Sequence, residues 1–421
     1  MAIENPKHIA VLGAGPIGIE TTLYARFLGY QVTLIERGEV AENVRRWGHV
    51  RMFSPFGMMR STLGLAALEA QDPDYRPPSD DALLTGDAWI ERYLEPLVQT
   101  DLLADSFLGH TRVVSITRDE LLKQDLPGDA GRSRSAFRIL IEDRQGQSDM
   151  AADVVIDCTG VVANPNYLGR GGAPAIGELA CRDKIDYHVP DLLGTQREQT
   201  MGRRVLVIGN GHSAATSIVG LAELAKEDPT TEVTWVTRRH PGANGAGPVR
   251  TVPRDSLTER ARLTSAANEI AAKGRVKLCP ETTIEAIRFD ESRETICVTL
   301  RGNQEGEFEF DRVIANVGYR PDRQLYGELQ VHECYASGGP MAIAKALLKN
   351  PTVDCLEQVS HGPQVLVNPE ADFYILGAKS YGRTENFLVS VGIDQVRDLF
   401  TIVGQRDDLD LYENAVTLLE K

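Results

Sequence analysis

The chain has 421 residues and a formal net charge of −15. At about 150 residues per domain, this length predicts two or three domains. The acidic balance, without basic runs, argues against binding to nucleic acid or to an anionic membrane surface. No stretch approaches the roughly 18 apolar residues of a membrane-spanning helix, and the N-terminal segment lacks the apolar core of a secretion signal. We therefore expect a globular protein of the cytoplasm.

The cysteines give a second exclusion. The six are scattered along the chain, and none forms a C-x-x-C pair. Such a pattern indicates reduced thiols, so we expect neither a disulfide framework nor a bound metal.

The N-terminal region holds the strongest motif. Residues 8–36 have the pattern of a β-α-β unit, with two apolar strands around a glycine-rich turn and a helix. In the turn, Gly13 permits a tight bend, Gly15 lets a pyrophosphate approach the backbone, and Gly18 lets the helix pack closely on the strand. The N-terminus of the helix offers free N–H groups to the phosphates. The predicted pyrophosphate-binding residues are Gly13, Gly15, Pro16, Ile17 and Gly18.

An acid stands at the end of the second strand of this unit. Glu36 follows Gly18 by 18 positions. Its carboxylate can accept hydrogen bonds from a ribose diol and would repel a 2′-phosphate. The site is therefore expected to bind FAD or NAD in preference to NADP. The alternative is a glycine-rich turn beside a solvated glutamate.

A second unit of the same kind begins with the strand 204–208. Gly209-Asn210-Gly211-His212-Ser213-Ala214 follows, with alanine at the third small position. The next strand ends in Arg238-Arg239 and has no acid at its tip. A guanidinium pair suits a 2′-phosphate, so this unit predicts NADPH, with a solvated basic corner as the alternative. The predicted NADPH-binding residues are Gly209, Gly211, His212, Ser213, Ala214, Arg238 and Arg239.

The rest of the chain has weaker patterns of secondary structure. Irregular structure is predicted for 45–82, and 161–202 is expected to cross between two domains. Helices are predicted at 87–97 and 387–403. Further strands are predicted at 113–117, 137–142, 153–160, 312–318 and 373–377, the last three each ending at glycine.

Together these motifs resemble the flavoprotein superfamily with two dinucleotide-binding domains, which includes thioredoxin-reductase-like enzymes and flavin-containing monooxygenases. The first turn with Glu36-Arg37 is similar to the FAD motif of that superfamily, and Thr159-Gly160 to the end of its linking strand. The resemblance implies an α/β fold of two Rossmann-like domains, with the NADP domain inserted into the FAD domain. The FAD domain is then expected at 1–165 and 310–421, and the NADP domain, with its linker, at 166–309.

Three departures narrow the resemblance. Disulfide reductases of the superfamily carry a redox cysteine pair, which this sequence lacks. The monooxygenase linker F-x-G-x-x-x-H-x-x-x-(Y/W) has no full counterpart in 176–190. Many relatives end the last FAD strand in Gly-Asp, whereas here Gly377-Ala378-Lys379 stands in its place.

The sequence supports the other candidate residues less strongly. Trp47 lies where relatives line the flavin, and it could equally fill the core. Lys379 and Tyr381 belong to a polar loop after the last strand, for which a solvated turn is the alternative. Cys355 and His361 could pair for proton transfer, although a buried thiol and a structural histidine explain them as well.

The resemblance implies an FAD-containing, NADPH-dependent oxidoreductase, most similar to the flavin-dependent monooxygenases. Its substrates would be O2 and a small nucleophile with a reactive nitrogen or sulfur. An NADPH:acceptor reductase without oxygenation and a redox sensor without turnover stay open, as does a homodimeric assembly.

Overall fold

The computed structural model describes residues 7–239, 247–349, 351, 354–413 and 415. Within these residues the chain divides into two units. The first takes in Met1–Gly48, Ser54–Asn164 and Arg320–Lys421, and the second His49–Phe53 and Pro165–Tyr319. The chain thus returns to the first unit at Arg320 and not at the predicted 310, because the strand that begins at 312 pairs within the sheet of the second unit.

The strands of the described residues are numbered in chain order. They are β1 (His8–Leu12), β2 (Gln31–Ile35), β3 (Phe107–Leu108), β4 (Arg112–Arg118), β5 (Phe137–Asp143), β6 (Gly146–Ala152), β7 (Val154–Asp157), β8 (Ile185–Asp186), β9 (Arg204–Ile208), β10 (Glu232–Val236), β11 (Lys277–Cys279), β12 (Thr282–Asp290), β13 (Thr295–Gly302), β14 (Gly306–Phe310), β15 (Arg312–Ala315) and β16 (Phe373–Ile375).

The α-helices are numbered in the same way, and none in the described residues has the length and apolar character needed to cross a membrane. They are α1 (Pro16–Phe27), α2 (Glu42–Arg45), α3 (Thr62–Gln71), α4 (Gly86–Trp89), α5 (Glu95–Val98), α6 (Arg197–Thr200), α7 (His212–Glu227), α8 (Thr258–Ala272), α9 (Met341–Lys349) and α10 (Val389–Val403).

The first unit is built on a parallel sheet in the order β16-β7-β1-β2-β3. The core strands are mostly apolar, as expected where both faces of a parallel sheet are covered. The register aligns Leu12 of β1 with Ile35 of β2 and with Asp157 of β7. The carboxyl ends of these strands therefore lie at one edge. An antiparallel sheet, β4-β5-β6, completes the unit.

The second unit repeats this plan. Its parallel sheet has the order β11-β10-β9-β15-β8, and its antiparallel sheet the order β12-β13-β14. The predicted α/β fold class with two Rossmann-like units is confirmed. The antiparallel sheet of this unit and α8 had no counterpart among the predicted elements.

The prediction of irregular structure over 45–82 is wrong, because α3 lies inside this range. Ser61 caps α3 by accepting a hydrogen bond from the N–H of Gly64 at 2.8 Å. A Cβ atom at Gly64 would lie 2.2 Å from the hydroxyl oxygen of Tyr93. The glycine thus admits the tyrosine of a neighbouring helical segment, in which a π turn, Ile90–Leu94, joins α4 to α5.

A fully buried network of charges ties the amino end of β16 to the antiparallel sheet of the first unit. Glu370 accepts hydrogen bonds from Arg118 at 2.8 Å and from Arg132 at 3.0 Å, and the three side chains have no exposed surface. Arg132 also donates to the backbone carbonyls of Leu122 and Asp125. Each buried charge therefore has partners, without which its desolvation would be unfavourable.

Glu20 on α1 is another buried acid, with 4% of its surface exposed. Its Oε1 has no hydrogen-bond partner among the described residues. Burial raises the pKa of Glu20 to about 7, and the nearby hydroxyls of Ser61 and Tyr412 offset part of this effect. The carboxyl group is thus close to half-protonated at neutral pH.

We expect Glu20→Gln to remove a pH dependence from the stability of the protein. The folded-state pKa lies above the ordinary 4.5. The stabilising contribution of the protonated acid is therefore complete below about pH 4.5 and is lost as the pH rises through about 7. The wild type should lose roughly 3 kcal/mol of unfolding free energy over this range relative to Glu20→Gln. Denaturant unfolding at several pH values measures the difference.

Glu69 provides the control, because it lies exposed on α3. Glu69→Gln should keep the wild-type pH profile. Parallel profiles for wild type and Glu20→Gln would contradict the assignment.

Candidate functional site

The first candidate site is the turn Gly13–Gly18 between β1 and α1, which we call the first cradle. Gly13 has a φ of +93°, and a Cβ there would lie 2.9 Å from the carbonyl oxygen of Cys158. A Cβ at Gly18 would lie 1.8 Å from the carbonyl oxygen of Gly13. Both positions therefore require glycine for the backbone to pack.

Gly15 differs from the other two glycines. A Cβ at this position would meet no heavy atom within 4 Å. Its φ of −78° is open to any residue, and Pro16 directly after it begins α1. The fold itself thus does not require glycine here, and the open space adjoins the N-terminus of a 12-residue helix. This is the arrangement that a pyrophosphate needs.

Glu36 stabilises the first cradle as well as facing it. Its Oε2 accepts the N–H of Ala14 at 2.9 Å, and its Oε1 accepts the N–H of Gly38 at 3.1 Å. Burial raises the pKa of Glu36, and these two hydrogen bonds oppose the shift. Each carboxylate oxygen can accept a further hydrogen bond, so a ribose contact remains compatible with this geometry. Arg37, next in the chain, is exposed.

The remaining predicted flavin contacts lie at the carboxyl ends of β7 and β16. Thr159 and Gly160 follow β7, and Gly160 has a φ of +67°. Gly377 follows β16, and a Cβ there would lie 3.3 Å from the side chain of Ile17. Ile17 thus packs against the turn after β16 within the first unit.

The loop after β16 is not the solvated turn that the sequence left open. Gly377–Tyr381 forms a short 3-10 helix, and Lys379, Ser380 and Tyr381 are all buried. Burial raises the pKa of Tyr381 to about 12, so its hydroxyl is a poor acid near neutral pH. Lys379 is engaged in an ion pair with Asp157, a partner that the sequence analysis did not consider.

The structure places the three weaker candidates in different surroundings. They are Trp47, Cys355 and His361. Trp47 is half-buried, and a Cβ at Gly86 would lie 3.0 Å from its ring, so the indole packs on the start of α4. Nε2 of His361 is buried without a hydrogen-bond partner among the described residues. Cys355 begins a 3-10 helix, Cys355–Glu357. The pairing of this thiol with His361 stays a prediction.

The second unit contains a matching turn, Gly209–Ala214, which we call the second cradle. Gly209 has a φ of +127°, and a Cβ there would lie 2.1 Å from the carbonyl oxygen of Asn316. A Cβ at Gly211 would meet nothing within 4 Å. Ala214 is fully buried. The second cradle therefore has the same open position at the start of a helix, here α7.

The other predicted residues of the second unit surround its cradle. His212 and Ser213 are the first two residues of α7. The side chain of His212 is exposed at the surface, while nearby protein lowers its pKa by partial desolvation, with Arg260 adding to the effect. Arg238 and Arg239 follow β10 and are exposed. Their contact with a 2′-phosphate stays a prediction.

One further thiol was not among the predicted site residues. Cys334 is partly exposed, and hydrogen bonds from the backbone and hydroxyl of Ser337, with the N–H of Ala336, lower its pKa. The C-x-x-S spacing of Cys334 and Ser337 was the available signal. The other partly exposed cysteine is Cys355, and the remaining four are buried.

Comparisons with known proteins agree with this geometry. A model of the pyridine nucleotide-disulphide oxidoreductase family matches residues 2–46. Among solved structures, bacillithiol disulfide reductase from Bacillus cereus superposes with a TM-score of 0.67 at 16% identity, covering 96% of this chain and 100% of its own. The ornithine N-hydroxylase of Kutzneria gives 0.60 at 14% identity, with coverage of 96% and 100%. Thioredoxin reductase of T. acidophilum gives 0.55 at 16%, with coverage of 95% and 99%.

A search of curated protein sequences found no match. At 14–16% identity the structural matches establish the fold and leave the activity to be argued from the residues. The predicted fold, with two Rossmann-like α/β units, is confirmed.

The glycines of the first cradle make a paired prediction. Gly15→Val should leave the unfolding temperature of the FAD-free protein nearly unchanged, because a Cβ at this position meets no protein atom within 4 Å. It should weaken FAD binding by at least about tenfold, since the side chain would displace the pyrophosphate from N–H groups worth about 1.5–3 kcal/mol each. Thermal unfolding and titration of the FAD-free protein with FAD measure the two effects.

Gly18→Ala is the counterpart. Its Cβ would lie 1.8 Å from a backbone oxygen, so this variant should lose stability before any ligand is added. Equal FAD affinity in Gly15→Val and wild type would show that FAD does not bind over Gly15.

Proposed function

We propose that the protein is an FAD-containing, NADPH-dependent oxidoreductase. The observation that supports this most strongly is the pair of cradles, each open above one glycine at the start of a helix. Their second strands end differently, in Glu36 in the first unit and in Arg238-Arg239 in the second. An acid suits an unphosphorylated ribose, and a guanidinium pair suits a 2′-phosphate.

The first unit would hold FAD. The start of α1 would bind the pyrophosphate over Gly15, and Glu36 would accept hydrogen bonds from the adenosine ribose. The turns after β7 and β16 would face the rest of the cofactor, because ligands of such sheets bind at the carboxyl ends of the strands. When bound, the flavin supplies hydride acceptance and onward electron transfer.

The second unit would hold NADPH. The start of α7 would bind the pyrophosphate over Gly211. Arg238 and Arg239 are exposed and have no acid at the adjacent strand end, so both guanidinium groups could reach a phosphate.

The electrons would leave to O2, with oxygenation of a small molecule at nitrogen or sulfur. An internal dithiol relay is unsupported, because all six cysteines are unpaired and four are buried. The fold is shared with the ornithine N-hydroxylase and with a cadaverine monooxygenase from Erwinia amylovora, which superposes with a TM-score of 0.59 at 13% identity. The small-molecule substrate, the cytoplasmic location and a homodimer remain predictions.

An NADPH:acceptor reductase is the second candidate. Two bacillithiol disulfide reductases share the fold, and the thiol of Cys334 has a lowered pKa. A thiolate is the form of cysteine that attacks disulfides. The redox sensor without turnover has no observation of its own in favour.

Coenzyme preference tests the second cradle. Arg238→Ala combined with Arg239→Ala should raise the Michaelis constant for NADPH by about ten- to a hundredfold, because the charge-assisted contact with the 2′-phosphate contributes about 1.5–3 kcal/mol in total. The constant for NADH should stay nearly the same. Arg301→Ala, which removes an exposed arginine from the antiparallel sheet of this unit, should change neither. Equal use of NADH and NADPH by the wild type would leave the arginine pair without a role.

The fate of the electrons tests the reaction type. The protein should be reduced by NADPH under anaerobic conditions and then mixed with O2 and candidate amines and sulfides. We expect oxygenated product in proportion to the NADPH consumed, measured by mass spectrometry beside a peroxide assay. Gly211→Val should abolish NADPH consumption, since its side chain fills the second cradle.

Other outcomes of this experiment would support one of the alternative functions. Peroxide alone, with rapid reduction of an added disulfide or quinone, would favour the reductase. No consumption of NADPH under any condition would favour the sensor.

A further inference from the structure

A buried ion pair lies at the carboxyl edge of the first sheet. Asp157 is the last residue of β7 and is in register with Leu12 of β1 and Ile375 of β16. Lys379 belongs to the 3-10 helix Gly377–Tyr381 that follows β16. The pair therefore joins the ends of two neighbouring strands beside the first cradle, at the edge where ligands of such sheets bind.

The contacts of the pair are close and fully enclosed. Nζ of Lys379 lies 2.5 Å from Oδ2 of Asp157 and 2.9 Å from Oγ1 of Thr159, and both charged side chains have no exposed surface. Oδ1 of Asp157 accepts the N–H and the O–H of Thr159 at 3.0 and 2.7 Å. Nζ also lies 5.1 Å from the centre of the Tyr326 ring. Both oxygens of the Asp157 carboxylate thus accept hydrogen bonds, and the Lys379 ammonium has polar and aromatic partners.

The neighbouring polar side chains of Ser380 and Gln395 have other hydrogen-bond partners. Ser380 donates its hydroxyl to the carbonyl oxygen of Gly377 at 2.7 Å and accepts a hydrogen bond from Gln395 at 3.0 Å. Gln395 in turn accepts the N–H of Gly377 at 2.9 Å. Lys379 and Asp157 are therefore two buried charges of this edge that cancel, whereas Glu36, also buried at this edge, accepts the backbone N–H groups of Ala14 and Gly38. A buried pair contributes little net stability, whereas removal of one partner leaves an uncompensated charge.

We propose that Lys379 and Asp157 are positioning residues whose opposite charges cancel at this edge, and that each charge alone would shift the potential at which the bound flavin is reduced. The inference rests on the proposed function, because it places the flavin at this edge. Transfer of a hydride from NADPH yields NADP+ and adds one negative charge to the flavin ring. A lone buried ammonium would favour the reduced form, and a lone carboxylate would disfavour it.

The test compares Lys379→Met, Asp157→Asn and the variant with both changes. Each is loaded with FAD and titrated anaerobically with dithionite against a reference dye. Asp157→Asn should raise the ratio of reduced to oxidised flavin at a fixed potential, and Lys379→Met should lower it. Each shift should be roughly tenfold, the effect of one unit charge about 10 Å away at an effective permittivity near 20. The double variant should return close to the wild type.

Glu370→Gln is the matched control. It disrupts the fully buried network of Glu370 with Arg118 and Arg132, at the amino end of β16. It should lower the unfolding temperature without changing the reduction potential. Lys379→Arg, which keeps the charge, should keep the wild-type potential if it folds.

The outcomes separate the two proposals. A wild type that binds no FAD would refute the proposed function and this inference with it. FAD binding with unshifted potentials, or with shifts of the same sign in both single variants, would overturn the inference alone and leave the pair a purely structural link. If Lys379→Met does not fold, the sign of the shift in Asp157→Asn and the potential of the double variant still decide.

Discussion

The close approach of two backbones at the start of α1 is the constraint on which the first unit depends. The carbonyl of Gly13 occupies the space that a side chain at position 18 would need, and the carbonyl of Cys158 closes the other side of the turn. With both positions filled by backbone, the helix begins directly above the sheet edge. The free N–H groups of its first turn are thereby fixed next to the open space over Gly15. Packing and ligand geometry follow from the same three glycines.

The second unit meets this constraint in a slightly different way. The carbonyl of Asn316 on the neighbouring chain segment requires glycine at position 209, as Cys158 does at position 13. The third small position holds Ala214, fully buried, so the contact between helix and turn accommodates one methyl group there. The two units therefore share the rule that the turn must pass close to an adjacent strand end. They differ in how close the helix must come.

Local patterns such as these could be predicted from the sequence, because a glycine-rich turn between an apolar strand and a helix is determined by neighbouring residues. The ion pair of Lys379 with Asp157 could not, because its members are 222 positions apart and each alone has the appearance of a surface residue. The helix α3 was not predicted from the sequence, for a different reason. The prolines around it suggested a loop, while the signal of Ser61 as a cap was present and unused. Tyr381 likewise packs its ring against Phe387, which lies outside its own loop.

The two buried ion networks of the first unit show how placement decides what a charge can do. Two arginines bind Glu370 at the amino end of β16, the opposite end of this strand from the first cradle. The same burial at the carboxyl end places Asp157 and Lys379 beside the glycine-rich turn, where any ligand of the sheet must lie. A hydrophobic pair could link these strands with less desolvation. The role proposed for the two opposite charges is therefore their field at a ligand bound to this edge, and not the stability they add.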